Sequence, residues 1–239
     1  MSRSSFPPTQ PRTPLSILLH LFAFASLSWS FRYLYTPGPL TDFMAQSFGG
    51  RWQFLTILSL AASWLTFAFS LLYDLLPLPL FARLKTSFAV LAVPVEGFVA
   101  AGYWGLTLYD PSLLNPPSAE FRLPLGVDMS IHGLPALYLW LDFLLFSPRF
   151  PSRVRPLSLA LIVTLAYSLW MELCASKNGA FPYPMFDALE LKYRLGVYVV
   201  SVPLVVGLYG AANGVHGLVR GSSSGEKEAR LARKVEKEL

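Results

Sequence analysis

The chain has 239 residues, of which 54% are hydrophobic and only 14% charged, and its mean hydropathy is +0.47. A soluble domain carries about a quarter charged residues, so there is too little charge here to cover a globular surface in water. The net charge of +5 does not make a nucleic-acid face either, because the basic residues sit between apolar runs, where they act as topology signals.

In chain order, Met1–Pro14 is polar and Pro-rich, and six apolar stretches follow: Leu15–Leu34, Trp52–Tyr73, Phe88–Tyr109, Gly126–Phe146, Pro156–Ala175 and Leu195–Val219. A span takes ~20 residues to cross a hydrocarbon core of about 30 Å, and each stretch is read as one transmembrane helix. No small-residue cleavage site follows the first stretch, so it is expected to stay as a helix and not to leave as a signal peptide. Pro/Gly-rich punctuation separates the stretches: Thr36-Pro37-Gly38-Pro39, Leu76-Pro77-Leu78-Pro79, Asn115-Pro116-Pro117, Ser147-Pro148-Arg149 and Phe181-Pro182-Tyr183-Pro184. The fold class expected is an all-α, six-helix membrane bundle over residues 15–219, with a polar segment at 1–14 and a charged tail at 220–239.

Lys and Arg set the orientation. The N-terminus, the second and fourth loops and the tail together hold thirteen of them, against six on the other side. Both termini are therefore expected to be cytoplasmic, which requires an even number of spans. Short loops fit an internal membrane such as the endoplasmic reticulum. No oligomeric state follows from the sequence.

Ionisable groups inside a span cost ~2.5–3.5 kcal/mol on insertion scales. Glu96, Asp142 and Glu172 are expected to pair with neighbouring helices or with Arg and Lys at the rim, a proton relay being the alternative. His20 and His216 are expected to be interfacial and inert. The single cysteine, Cys174, excludes an intrachain disulfide and a multi-Cys metal site. No His-x-x-His, His-x-x-x-His or Glu-x-x-His pair, Gly-rich phosphate loop or Gly-x-Ser-x-Gly elbow occurs. No metal and no cofactor is expected.

One pair is chemically suggestive. Thr56 lies roughly 6 Å inside the second stretch and His132 roughly 9 Å inside the fourth, at 1.5 Å per residue, and both stretches start on the non-cytoplasmic side. A hydroxyl beside an imidazole is the minimal nucleophile–base pair for attack on an acyl carbon. On spacing alone the other reading stands as well: a membrane-helix Thr packs or bonds its own backbone, and a lone His donates to a carbonyl. Arg51, Gln53 and Asn178 lie on the same side, where any of them could polarise a carbonyl. Arg51 could also hold a carboxylate, although interfacial snorkelling is the commoner role.

The segments carrying that pair resemble a known family. Gly50-Arg51-Trp52-Gln53-Phe54-Leu55-Thr56 is similar to the second-span signature of the androgen-induced protein family, which includes the androgen-dependent regulator of tissue factor pathway inhibitor. His132-Gly133-Leu134-Pro135-Ala136-Leu137 with Leu141-Asp142 resembles its fourth-span signature. Asn178-Gly179-Ala180-Phe181-Pro182-Tyr183-Pro184 resembles the aromatic-Pro-Tyr-Pro loop before its last span. The resemblance runs from Leu15 to about Val219. It implies an intramembrane hydrolase that cleaves fatty-acid esters of hydroxy fatty acids, with Thr56 as nucleophile and His132 as base. The partners it implies are a lipid ester substrate and membrane lipids, without nucleic acid. Phe181 replaces the family's usual Trp, and Ile57-Leu58 replace a more aromatic pair, so the lipid pocket differs in shape. Two other classes remain open from the residues: a non-catalytic lipid-binding or regulatory scaffold, and a small proton-coupled transporter.

Overall fold

A computed structural model describes residues 12–114 and 123–220. The polar N-terminal segment up to residue 11, the Asn115-Pro116-Pro117 punctuation and the charged tail from Gly221 lie outside the described residues. Nine α-helices make up the described part: α1 (Pro14–Leu34), α2 (Pro39–Gln46), α3 (Leu55–Leu75), α4 (Pro79–Tyr109), α5 (Leu125–His132), α6 (Leu134–Leu145), α7 (Pro156–Asn178), α8 (Pro184–Asp187) and α9 (Leu191–Arg220). Five of them, α1, α3, α4, α7 and α9, are long and apolar enough to cross a membrane. A helix is one of the two structures that satisfy every backbone polar group inside lipid.

The fourth predicted stretch is present as two helices, α5 and α6, that break at Gly133. Pro135 causes the break: it has no N–H to bond to the carbonyl one turn back, and its ring crowds that carbonyl. Much of the Pro-rich punctuation opens helices. α1, α2, α4, α7 and α8 each begin on a proline, where the missing N–H belongs to the first turn and would have no intrahelical partner anyway. At α1, Thr13 and Ser16 complete the start as a reciprocal cap, with both backbone–side-chain bonds at 3.1 Å.

α3 is the central helix. It packs on α4 and α1, while α4, α6, α7 and α9 complete the bundle. Leu27, Leu60, Phe67, Val93, Leu139 and Phe143 fill the core. One face of α3 is polar from end to end: Thr56, Ser59, Ser63, Thr66, Ser70 and Asp74, three or four residues apart and all buried. The central hydroxyls bond back to carbonyls of the preceding turn, for instance Ser63 to Ser59 at 2.9 Å and Thr66 to Ala62 at 2.8 Å. Such small side chains let neighbouring helices approach closely. The fully buried Glu96 of α4 accepts from the Ser63 hydroxyl at 3.0 Å.

Asp142 and Glu172 have the paired environments expected of them. Glu172 is held by Arg194 (2.8 and 3.1 Å) and Tyr198 (2.9 Å). Asp142 bonds Lys85 at 3.0 Å and the Ser147 hydroxyl at 2.8 Å. His20 departs from expectation: it is buried, with Nδ1 at 2.5 Å from Asp74 and Nε2 at 2.8 Å from Asp142. The reason is that α1, α3, α4 and α6 converge there, and the carboxylates of Asp74 and Asp142 need donors once packed away from water. A neutral imidazole has one N–H, so both contacts form together only with an extra proton on the ring or on one carboxyl. Arg12 adds a bond to the Asp74 carbonyl. The cluster borders a cleft that Tyr73, Phe146 and Phe150 also line. His216 is likewise buried, against Phe143 and within 3.0 Å of the Ser147 carbonyl, and not interfacial.

At the opposite end, the chain turns into α3 through Gly49 (φ +81°) and a 3-10 turn at Gly50–Gln53. A Cβ at Gly49 would lie 2.7 Å from the Cys174 sulfur and 3.2 Å from the Trp170 ring. Gly49→Ala is expected to destabilise the protein by roughly 1–3 kcal/mol, read as a lower Tm in detergent. An unchanged Tm would mean that this turn is not built as described.

Candidate functional site

The first turn of α3 leaves backbone N–H groups without intrahelical acceptors, and its N-cap residue, Phe54, offers no side-chain oxygen. Acceptors come from elsewhere in the bundle. The Leu55 N–H is shared by the hydroxyls of Tyr167, from α7, and Tyr183, from the Pro-Tyr-Pro segment, each at 3.1 Å. Tyr167 donates its own proton to the Gln53 carbonyl at 3.1 Å. Phe54 meets the Tyr183 ring edge-on at 5.7 Å, and Trp170 donates to the Trp52 carbonyl at 2.8 Å. Thr56 sits in this first turn, 7% exposed, with the Tyr183 hydroxyl beside it. Burial pushes the Tyr183 phenol above its ordinary pKa, so it is an O–H and not a phenolate.

His132 ends α5, where the Gly133 break exposes the end of the helix to partners. Its Nδ1–H donates to Asp128, one turn earlier on the same helix, at 2.7 Å. The Tyr103 ring of α4 lies flat on the imidazole, 3.5 Å between centroids and 5° from parallel. Trp104 donates to the His132 carbonyl at 3.2 Å. The imidazole thus bonds a carboxylate through Nδ1 and not a backbone carbonyl, which places a proton on Nδ1.

α3 and α5, which carry Thr56 and His132, pack against each other. Among the described residues no hydrogen bond joins the two side chains. Arg51, Gln53 and Asn178 are otherwise engaged. Arg51 bonds the last carbonyl of α1, Leu34, and lies over the Tyr35 ring at 4.5 Å, so it caps a helix. Asn178 bridges Phe48 and Gln53. Asp128, Tyr103, Tyr167 and Tyr183 are the site residues that sequence reasoning did not select. For Asp128 the signal was its i, i+4 spacing to His132, and for Tyr183 it was the Pro-Tyr-Pro segment. The two tyrosines on other elements left no local signal. Among the described residues no group of three His, Cys, Asp or Glu side chains is placed to hold a metal ion.

A UPF0641 membrane protein of Schizosaccharomyces pombe is 32% identical over 202 residues, covering 84% of this chain and 90% of its own. The human androgen-dependent TFPI-regulating protein is 25% identical over 67% of this chain and 74% of its own, and the human androgen-induced gene 1 protein 24% identical over 69% and 75%. No solved structure matches the chain. The FAR-17a/AIG1-like protein family matches residues 15–217, nearly the whole described bundle. On this match, together with the yeast relative, the chain is a multi-pass integral membrane protein that belongs to the FAR-17a/AIG1-like family.

Proposed function

We propose that this protein is an intramembrane esterase that hydrolyses fatty-acid esters of hydroxy fatty acids, with Thr56 as nucleophile and His132 as general base. The observation that carries the reading is the Asp128–His132 dyad: an imidazole held through Nδ1 and stacked on a parallel ring, with no hydrogen bond to Nε2 among the described residues, is placed to take a proton there. Thr56 offers a buried hydroxyl on the helix that packs beside it. His132 accepts the Thr56 proton as the oxygen attacks the ester carbonyl. It then returns that proton to the departing alkoxide of the hydroxy fatty acid. Water repeats the sequence on the acyl-threonine and releases the second acid.

The test is direct. The purified protein in detergent, given a hydroxy-fatty-acid ester, is expected to yield one fatty acid and one hydroxy fatty acid in equal amounts. A folded protein that releases neither acid from any lipid ester defeats the proposal and favours a scaffold. Asp128→Asn tests the dyad. It keeps the shape but loses the charge that holds the tautomer, and it is expected to lower kcat by roughly 10²–10⁴-fold with KM little changed. Wild-type kcat in this variant would remove Asp128 from the mechanism.

A second reading has its own observation. The polar face of α3 runs from Thr56 to the Asp74–His20 cluster, with Glu96 alongside and its Oε2 unpartnered among the described residues. That is the layout of a proton path. If the protein is a proton-coupled transporter, solute flux into liposomes falls on Glu96→Gln while ester hydrolysis is absent.

A further inference from the structure

The reaction proposed above lacks one part: a donor for the oxyanion that forms when Thr56 attacks. Of the three side chains that the sequence offers for that role, Arg51 bonds the end of α1 through Nε, Asn178 donates to the Phe48 carbonyl and to the Gln53 side-chain oxygen, and Gln53 enters that bond as the acceptor. Tyr167 is committed, since its proton goes to the Gln53 carbonyl. Tyr183 differs. Its oxygen receives the Leu55 N–H, its hydroxyl lies beside the hydroxyls of Thr56 and Tyr167, and among the described residues no carbonyl or carboxylate takes its proton. Its ring is fixed by the edge-on contact with Phe54 and by Phe186, 6.4 Å away between centroids. It also belongs to the Pro182-Tyr183-Pro184 segment, whose flanking prolines restrict the backbone on both sides.

We propose that the Tyr183 hydroxyl is the catalytic donor that binds the oxyanion at Thr56, with the first backbone N–H groups of α3 supporting it from behind; this inference rests on the esterase reading. In the step itself the Thr56 oxygen–carbon bond forms and the Thr56 proton moves to His132. The carbonyl π pair moves onto the carbonyl oxygen, and that oxygen accepts a hydrogen bond from the Tyr183 O–H, whose proton stays on Tyr183. Collapse restores the carbonyl, breaks the ester C–O bond and returns the proton from His132 to the leaving oxygen. The Leu55 N–H bonded to the Tyr183 oxygen polarises the phenol and makes it a better donor. The end of α3 also favours negative charge at this position.

The experiment is Tyr183→Phe in the full-length protein in detergent, with Tyr167→Phe and Thr56→Ala beside it. Tyr183→Phe keeps the ring and removes only the hydroxyl. It is expected to lower kcat by about 10²–10³-fold with KM within a few-fold of wild type. Tyr167→Phe removes a hydroxyl from the same N–H but not a free proton, and is expected to cost less than about a tenth of that effect. Affinity for a trifluoromethyl ketone analogue of the ester, which forms a tetrahedral adduct, is expected to fall with kcat/KM. Affinity for the product fatty acid is expected to hold. A purely capping role for Tyr183 would lower Tm and leave this difference unmoved. Wild-type kcat in Tyr183→Phe with Thr56→Ala inert overturns the assignment and leaves the esterase standing. An inert wild type overturns both. If Tyr183→Phe does not fold, fluorotyrosine at 183 replaces it: a more acidic donor is expected to change kcat, and an unchanged kcat overturns the assignment.

Discussion

Thr56→Ala is expected to abolish ester hydrolysis, with a loss of about 10⁴-fold or more in kcat and a Tm close to wild type. His132→Ala is expected to do nearly the same. The size follows from how such pairs work: the hydroxyl is a poor nucleophile without a base, and the base has no task without the hydroxyl. Removing either therefore costs about as much as removing both. Little structural damage is expected from Thr56→Ala, because the side chain sits in a turn whose Leu55 N–H is taken by Tyr167 and Tyr183. Thr56→Ser keeps a hydroxyl and is expected to retain measurable turnover. Stopped-assay release of both acids, with Tm read alongside, checks all three. Turnover in Thr56→Ala within tenfold of wild type would move the nucleophile elsewhere.

The second large effect is on stability, at the other end of the bundle. Asp142→Ala is expected to cost about 3–5 kcal/mol and to lower Tm accordingly. Asp142 accepts from His20, Lys85 and Ser147, and its side chain is 2% exposed against 5% for His20 and 13% for Lys85. Truncation leaves two basic groups facing Asp74 alone, away from water. Asp74 and Asp142 face His20 and Lys85, with Arg12 on the Asp74 backbone, so losing one carboxylate leaves excess positive charge in the cluster. The same principle sets a control: replacing His20 and Asp142 together by apolar residues of similar size should cost less than Asp142→Ala alone. A cost below about 1 kcal/mol for the single variant would mean that water reaches the cluster.

The five long helices were legible from hydropathy, since lipid leaves the backbone few alternatives, whereas the short α2 and α8 lie in stretches read as loops. The pairings of Asp142 and Glu172 could be read from the cost of bare charge, whereas the Thr13–Ser16 cap of α1, just ahead of the stretch begun at Leu15, was not read. The break at Gly133 hides inside an apolar run, because Pro135 interrupts hydrogen bonding without changing composition. His20 was misjudged for a related reason. Its partners are 54 and 122 residues away, and no local pattern carries a contact of that range. Thr56 and His132 were both visible as chemistry, but the groups around them were only partly so. Asp128 lies on the same helix as His132, while Tyr103, Tyr167 and Tyr183 come from elements that meet the site only after the bundle has packed.

The central claim is a covalent one, and it has a direct measurement. Incubations with a hydroxy-fatty-acid ester, quenched in acid within the first turnover and digested, are expected to show the peptide containing Thr56 heavier by one acyl group. That adduct should vanish in Thr56→Ala. Steady release of both acids with Thr56 never acylated, or an acyl group found on another residue, would contradict the account.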